Sequence, residues 1–167
     1  MSARPLWTCS KCRQRFVTRN MWHSCVRSTA AHFFRNSDPK LARLFREFLA
    51  FVRRIGPVRV NVTKSRISFQ GRVRFAGVAA VRKDALIAGF WLKRRIHSPR
   101  FSRVEFIPPD NYVYQFRLTA ASDLDSEAEG WLREAYAVGA QRAGALDARG
   151  NRSGLSVKST STPSSSR

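Results

Sequence analysis

The stretch VRVNVTKSRISFQGRVRF, residues 58–75, alternates apolar and polar side chains along most of its length. Val58, Val60 and Val62 interleave with Arg59, Asn61 and Thr63. Ile67 and Phe69 interleave with Arg66, Ser68 and Gln70, and Val73 and Phe75 with Arg72 and Arg74. Neighbouring side chains of a strand point to opposite faces, so a period of two predicts strands buried on one side only. Residues 85–92, ALIAGFWL, read as a more fully buried strand. Residues 103–107 read as a short strand before the turn at Pro108-Pro109-Asp110. Residues 112–118 alternate again, with Tyr112, Tyr114, Phe116 and Leu118 on one side.

Two helices flank these strands. Asp38 can cap the first, and Pro39 takes the first helical position, where a missing N–H costs nothing. Leu41, Leu44, Phe45, Phe48, Val52 and Ile55 then recur at helical spacing up to Gly56-Pro57. The second helix is expected over 122–142, capped by Ser122 with Asp125 completing a capping box. Leu124, Ala128, Trp131, Leu132, Ala135 and Val138 form its apolar stripe. Its acids Asp123, Asp125, Glu127 and Glu129 suit the positive end of the helix dipole better than they suit a metal site.

The predicted fold class is therefore α+β: an antiparallel sheet of five or six strands with both helices on one face. Phe48, Val60, Phe69, Phe75, Trp131 and Leu132 are expected inside. Three blocks divide the chain: a zinc-binding segment over 1–36, the α+β domain over 37–145, and a Ser- and Gly-rich tail over 146–167 expected to be disordered.

Charge dominates the composition of the 167 residues. Thirty-one Lys and Arg face eleven Asp and Glu, a formal net charge of +20. Most of the cations are Arg, whose planar fork suits bidentate phosphate contacts. So large an excess repels itself unless an anion is near, which points to nucleic acid, DNA or RNA, as partner. No apolar run approaches the roughly 18 residues of a membrane helix. The first residues lack the apolar core of a signal peptide, so a cytoplasmic location is expected and no membrane partner.

All three cysteines lie in the first block, spaced C-x2-C-x10-H-x-C as Cys9, Cys12, His23 and Cys25. An odd count argues against disulfides, and the position near the start argues against a thioredoxin-like redox pair. Thiolates and an imidazole at this spacing suit one tetrahedral Zn2+ per chain, with no open coordination position and hence a structural role. Zinc knuckles often place Gly after the second cysteine, where Arg13 stands here. His32 is a rival fourth ligand, and Phe16 and Trp22 are candidates for an apolar plug beside the metal.

The string WTCSKCRQRFVTRNMWHSC, then AAHFF, RISFQGRVRFA, HSPRFSRVE, YVYQFRL and DLDSEAEGWLREAYAVG, resembles an uncharacterised bacterial family named domain of unknown function 5655. The resemblance covers about residues 6–140 and implies a small α+β domain behind a zinc-binding segment. It implies no activity.

Catalytic motifs are missing: no Gly-rich phosphate loop, no G-x-S-x-G and no H-E-x-x-H. Asp84, Glu105 and Asp110 are too few for a metal-dependent nuclease, and His97 reads as a solvent residue, so an enzyme is not the preferred reading. A nucleic-acid binder is. Arg59, Arg66, Arg72, Arg74 and Arg117 are expected on the uncovered sheet face. Lys93, Arg94, Arg95, Arg100 and Arg103 are expected on a loop that clamps, and Arg13, Arg15, Arg19 and Arg27 on the zinc segment. The alternative is a protein-interaction adaptor whose zinc segment docks an acidic partner.

Overall fold

The computed structural model describes residues 5–23 and 25–141, so the expected tail lies outside the described residues. A two-stranded hairpin, β1 (Trp7–Thr8) and β2 (Arg15–Phe16), precedes a short helix α1 (Ala30–Phe34) and the long helix α2 (Pro39–Ile55). Strands β3 (Arg59–Val62), β4 (Ile67–Gln70), β5 (Arg74–Val81), β6 (Leu86–Leu92), β7 (Phe101–Ile107) and β8 (Asn111–Leu118) follow, and then α3 (Ser126–Ala140). The six strands form one antiparallel sheet in the order β3-β4-β5-β6-β8-β7. The α+β architecture read from the sequence is the one observed.

The alternation sets the two faces. Ile67, Phe69, Phe90, Tyr114 and Phe116 point to the covered side, where α2 and α3 lie. Phe45 and Phe48 of α2 place their rings 6.2 and 5.2 Å from that of Phe69. Trp131 of α3 stacks on Phe90 at 5.6 Å, and Tyr136 meets Phe75 edge-on at 5.2 Å. Phe48, Phe69, Phe75 and Leu132 are fully buried, each worth about 1.5–3 kcal/mol of transfer free energy. Trp131 is buried too, whereas Val60, on the edge strand β3, is only half-buried.

Helix α2 begins where the sequence places it, with the Asp38 carboxylate accepting from Lys40 N–H at 2.9 Å. Helix α3 does not. It begins at Ser126 because Asp125, rather than Ser122, is the cap and accepts from Ala128 N–H at 3.0 Å. Residues 121–123 form a separate turn of 3-10 helix, in which the Asp123 carboxylate accepts from Thr119 N–H, the Thr119 hydroxyl and Ala120 N–H. The helix stops at Ala140, followed by Gln141 in the left-handed conformation at φ 52°.

Helix α1 has no counterpart among the expected elements. Its Phe34 packs 5.3 Å from Phe45 and is buried. Phe34 thus belongs to the core of the α+β domain, with Ala30 and Phe33 packed against it.

The connection from β6 to β7 passes the place later filled by β8 and reaches the far edge of the sheet. It runs beside α3, held by the Tyr114 hydroxyl, which donates to Arg94 O and accepts from Ile96 N–H.

Candidate metal centre and nucleic-acid interface

The β1–β2 hairpin is closed by Cys9 N–H donating to Gln14 O and Arg13 N–H donating to Cys9 O, both at 2.9 Å. That turn sets Cys9 and Cys12 side by side. Arg13 sits at φ 62°, the left-handed region that glycine enters freely and that costs another residue about 1 kcal/mol. The position is the one where knuckles favour glycine, and the turn takes that conformation despite the arginine.

His23 and Cys25 complete the group. His23 Nε2 lies 3.1 Å from Cys12 Sγ and 3.4 Å from Cys25 Sγ, and Cys25 Sγ lies 3.7 Å from Cys9 Sγ. The four donor atoms all fall within 4.8 Å of one another, so the group can hold one metal ion. His23 Nδ1–H donates to Met21 O at 2.6 Å, which fixes the ring and leaves the Nε2 lone pair for an ion. His32 is outside the group; it sits exposed on α1, with Nδ1 3.4 Å from Arg35 Nη1.

The thiols differ in their tendency to ionise. The Cys12 N–H, helped by that of Lys11, holds the Cys9 thiol down to about 6. Burial, reinforced by the neighbouring Cys9 and Cys12 sulfurs, pushes Cys25 up to about 11. Crowded sulfurs resist a further negative charge, and a bound cation removes that resistance.

The apolar plug consists of Phe16 and Trp7 rather than Phe16 and Trp22. Phe16 lies 4.4 Å from the His23 ring, and Trp7 lies 5.8 Å from Phe16, opposite which it pairs. Trp22 is 91% exposed, and Val17, Met21 and Val26 are exposed near it in sequence. The segment is tied to the domain through Ser28 N–H, which donates to Val62 O at 3.0 Å. Within the segment itself, Arg27 donates to Cys12 O.

The sheet-face arginines divide. Register places Arg59, Arg74 and Arg117 on the uncovered side, opposite Gln70, Gln70 and Ile87 respectively. Arg66 lines a groove on that same face. Arg72 departs from the expectation: its Nε donates to Gln141 at 2.6 Å, at the end of α3. Arg117 is paired with Asp84 at 3.0 Å.

The clamp expected over 93–103 is largely committed to the fold. Arg94 makes a two-pronged bond to Glu134 at 2.9 and 2.8 Å. Arg100 bonds Asp125 and Glu127, donates to Asp123 O, and lies 5.1 Å over the Trp131 ring. Lys93 pairs with Asp110 at 2.7 Å and Arg103 with Glu105 at 3.0 Å; Arg95 is exposed. The acids of α3 thus serve as partners for this loop.

Between the hairpin and β3 lies a cleft of about 730 Å³ that the sequence did not announce. Arg13, Arg15, Arg27 and Arg59 line it, with the buried Gln14 and Gln70, and no carboxylate does. A second, smaller hollow on the uncovered sheet face brings Arg66 and Arg74 to Trp91, which the sequence shows only as part of an apolar strand. A signal for it does exist in the sequence: Gly77 and Gly89 interrupt two strands, a mark of close backbone approach. A Cβ on Gly77 would stand 2.1 Å from Ile67 O.

A family model described as Domain of unknown function (DUF5655) matches residues 30–139, from the start of α1 nearly to the end of α3. No curated protein and no solved structure matches the chain. Among the described residues, no helix is long and apolar enough to cross a membrane.

Proposed function

The chain belongs to the DUF5655 family, a domain of unknown function, and from that premise we propose that it binds nucleic acid by setting arginines against phosphates. The observation that carries the reading is the cleft of about 730 Å³ with four arginines and no carboxylate in its wall. Arg13, Arg15 and Arg59 make no ion pair among the described residues. Guanidinium groups gathered without acids have a phosphate backbone as their natural counterion. The hollow at Arg66 and Arg74 extends the same charge across the sheet.

The ion we assign to Cys9, Cys12, His23 and Cys25 is zinc. With Zn–S of about 2.3 Å and Zn–N of about 2.0 Å, a tetrahedron separates sulfurs by about 3.8 Å and sulfur from nitrogen by about 3.5 Å. The Cys9–Cys25 separation of 3.7 Å and the Cys25–His23 separation of 3.4 Å lie close to those edges, and the Cys12–His23 separation of 3.1 Å is somewhat shorter. With four protein donors no position is left for substrate, so the zinc is structural, holding the wall that carries Arg13 and Arg15.

A second reading has its own observation. The exposed Trp22, Met21, Val17 and Val26 give the zinc segment an apolar surface, and that surface favours a protein-interaction adaptor.

Anisotropy titration of labelled duplex and single-stranded oligonucleotides against salt separates the two. With about six phosphates engaged, log K against log salt should slope near −5 for duplex and near −4 for a single strand. Retention at near-physiological salt against heparin supports the proposal. Failure to retain DNA or RNA there gives the adaptor reading precedence.

A further inference from the structure

The uncovered sheet face holds two like charges that the fold does not neutralise. Arg74 lays its guanidinium 4.0 Å from the centre of the Trp91 ring and is half-buried. Its charged neighbour is Arg66, and burial, with that repulsion added, pushes Arg74 down to about 10, which still leaves it charged at neutral pH. No carboxylate pairs with either among the described residues. Glu105, which register sets opposite Val113 on the same face, is already taken by Arg103 at 3.0 Å.

A cation withdrawn from water beside a like charge is costly unless an anion compensates it. Trp91 Nε1–H is also buried with no acceptor, an exception to the rule that buried donors are satisfied. The hollow these groups line is about 100 Å³, below the size of drug-like ligand pockets and suited to an ion. Ser68 and Gln115 add hydroxyl and amide groups to its wall, and Gly77 and Gly89 leave its floor without side chains.

We propose that Arg66, Arg74 and Trp91 form a discrete site for one tetrahedral oxyanion, a phosphate group carrying at most one ester link. The ion accepts from the two guanidinium groups, and the indole supports Arg74 from beneath. That phosphate comes from one of two sources, the free ion or the terminal monoester of a phosphorylated nucleic acid. The site does not rest on the binding of a nucleic-acid backbone, which needs the cleft at Arg13, Arg15 and Arg59.

The test is equilibrium dialysis of inorganic phosphate against the full zinc-loaded chain at near-physiological chloride, with tryptophan emission followed in parallel. Saturation at one phosphate per chain, with a change in emission that Trp91→Phe abolishes, is the expected result. Arg66→Gln alters an exposed side chain and should weaken phosphate at least tenfold. Arg74→Met, which keeps an apolar stem over the indole, should do the same, with circular dichroism checking its fold. Competition by a 5′-phosphorylated oligonucleotide, at concentrations where its unphosphorylated twin does not compete, identifies the source as a nucleic-acid end. Equal potency of inorganic phosphate identifies it as the free ion. Unsaturable uptake, or unchanged affinity in Arg66→Gln, overturns the site. Loss of backbone binding in an Arg15/Arg59 variant with phosphate uptake intact would separate the two proposals.

Discussion

Gly139 of α3 lies so close to Phe75 of β5 that a Cβ added to the glycine would stand 2.5 Å from the Cβ of the phenylalanine. Val73 N–H donates to Gly139 O at 2.8 Å in the same contact. The end of α3 therefore meets the sheet backbone almost directly. In a helix Gly→Ala ordinarily gains about 1 kcal/mol. Here overpacking should reverse the sign, and Gly139→Ala should destabilise by about 1–3 kcal/mol in urea melts. Gly130, with nothing within 4 Å, is the control, and Gly130→Ala should stabilise by about 0.5–1 kcal/mol. Phe75→Ala should cost about 3–5 kcal/mol.

The 93–103 loop and the cleft between the hairpin and β3 should separate stability from binding. Arg100→Ala leaves Asp125 and Glu127 without their shared partner and should cost about 1–2 kcal/mol, the pair being partly exposed. Its effect on the salt slope of nucleic-acid binding should be close to nil. Arg15→Ala and Arg59→Ala should do the opposite: little change in melting, and a slope shallower by about one for every phosphate no longer engaged. A slope that falls with Arg100→Ala and not with Arg59→Ala would return the interface to the loop.

Protein purified without added metal should carry one zinc per chain by elemental analysis. Cys12→Ala should lose it, and His32→Ala should keep it. Because the α+β core has its own packing, a chelator should leave its melting transition in place while residues 5–28 lose protection from proteolysis. Nucleic-acid affinity should fall together with that protection, since the wall bearing Arg13 and Arg15 goes with the metal. Collapse of the whole fold on chelation would show that the core depends on the hairpin.

Arg13 holds a left-handed conformation and also lines the cleft. Arg13→Gly should therefore strengthen the hairpin by up to about 1 kcal/mol, read as slower zinc loss to a competing chelator. Arg13→Ala retains the Cβ and gains nothing. Both should weaken nucleic acid equally, because both remove the guanidinium.

Acid should loosen the entry to α3. Burial alone would raise the Asp123 carboxyl, but bonds from Thr119 and Ala120 N–H and the Thr119 hydroxyl, with Arg100 nearby, outweigh it and hold it low. A depressed folded value means stability present above the unfolded value of about 3.9 and lost as pH falls through the folded one. Asp123→Asn should lower Tm at pH 7, and the gap to the unaltered chain should narrow once pH falls below about 3.9 and close as the folded carboxyl takes its proton.

Periodicity and Cys/His spacing are local properties, and they carried the sheet, the covered face and the grouping of Cys9, Cys12, His23 and Cys25. A strand must alternate if one face is wet, so Arg74 and Phe75 had to part, and Cys9 and Cys12 share a turn whatever surrounds them. The partners of the loop cations were not local. Lys93 to Arg103 read as a free basic clamp, but β8 inserts between β6 and β7, and the crossover it forces runs along α3. There Arg94 meets Glu134 and Arg100 meets Asp125 across 40 and 25 residues of sequence. The cleft beside the β1–β2 hairpin and the pairing of Arg74 with Trp91 likewise join residues remote in the chain. Charge opposes charge through space, so strand order, which no local pattern encodes, decided which arginines are held by acids and which face outward.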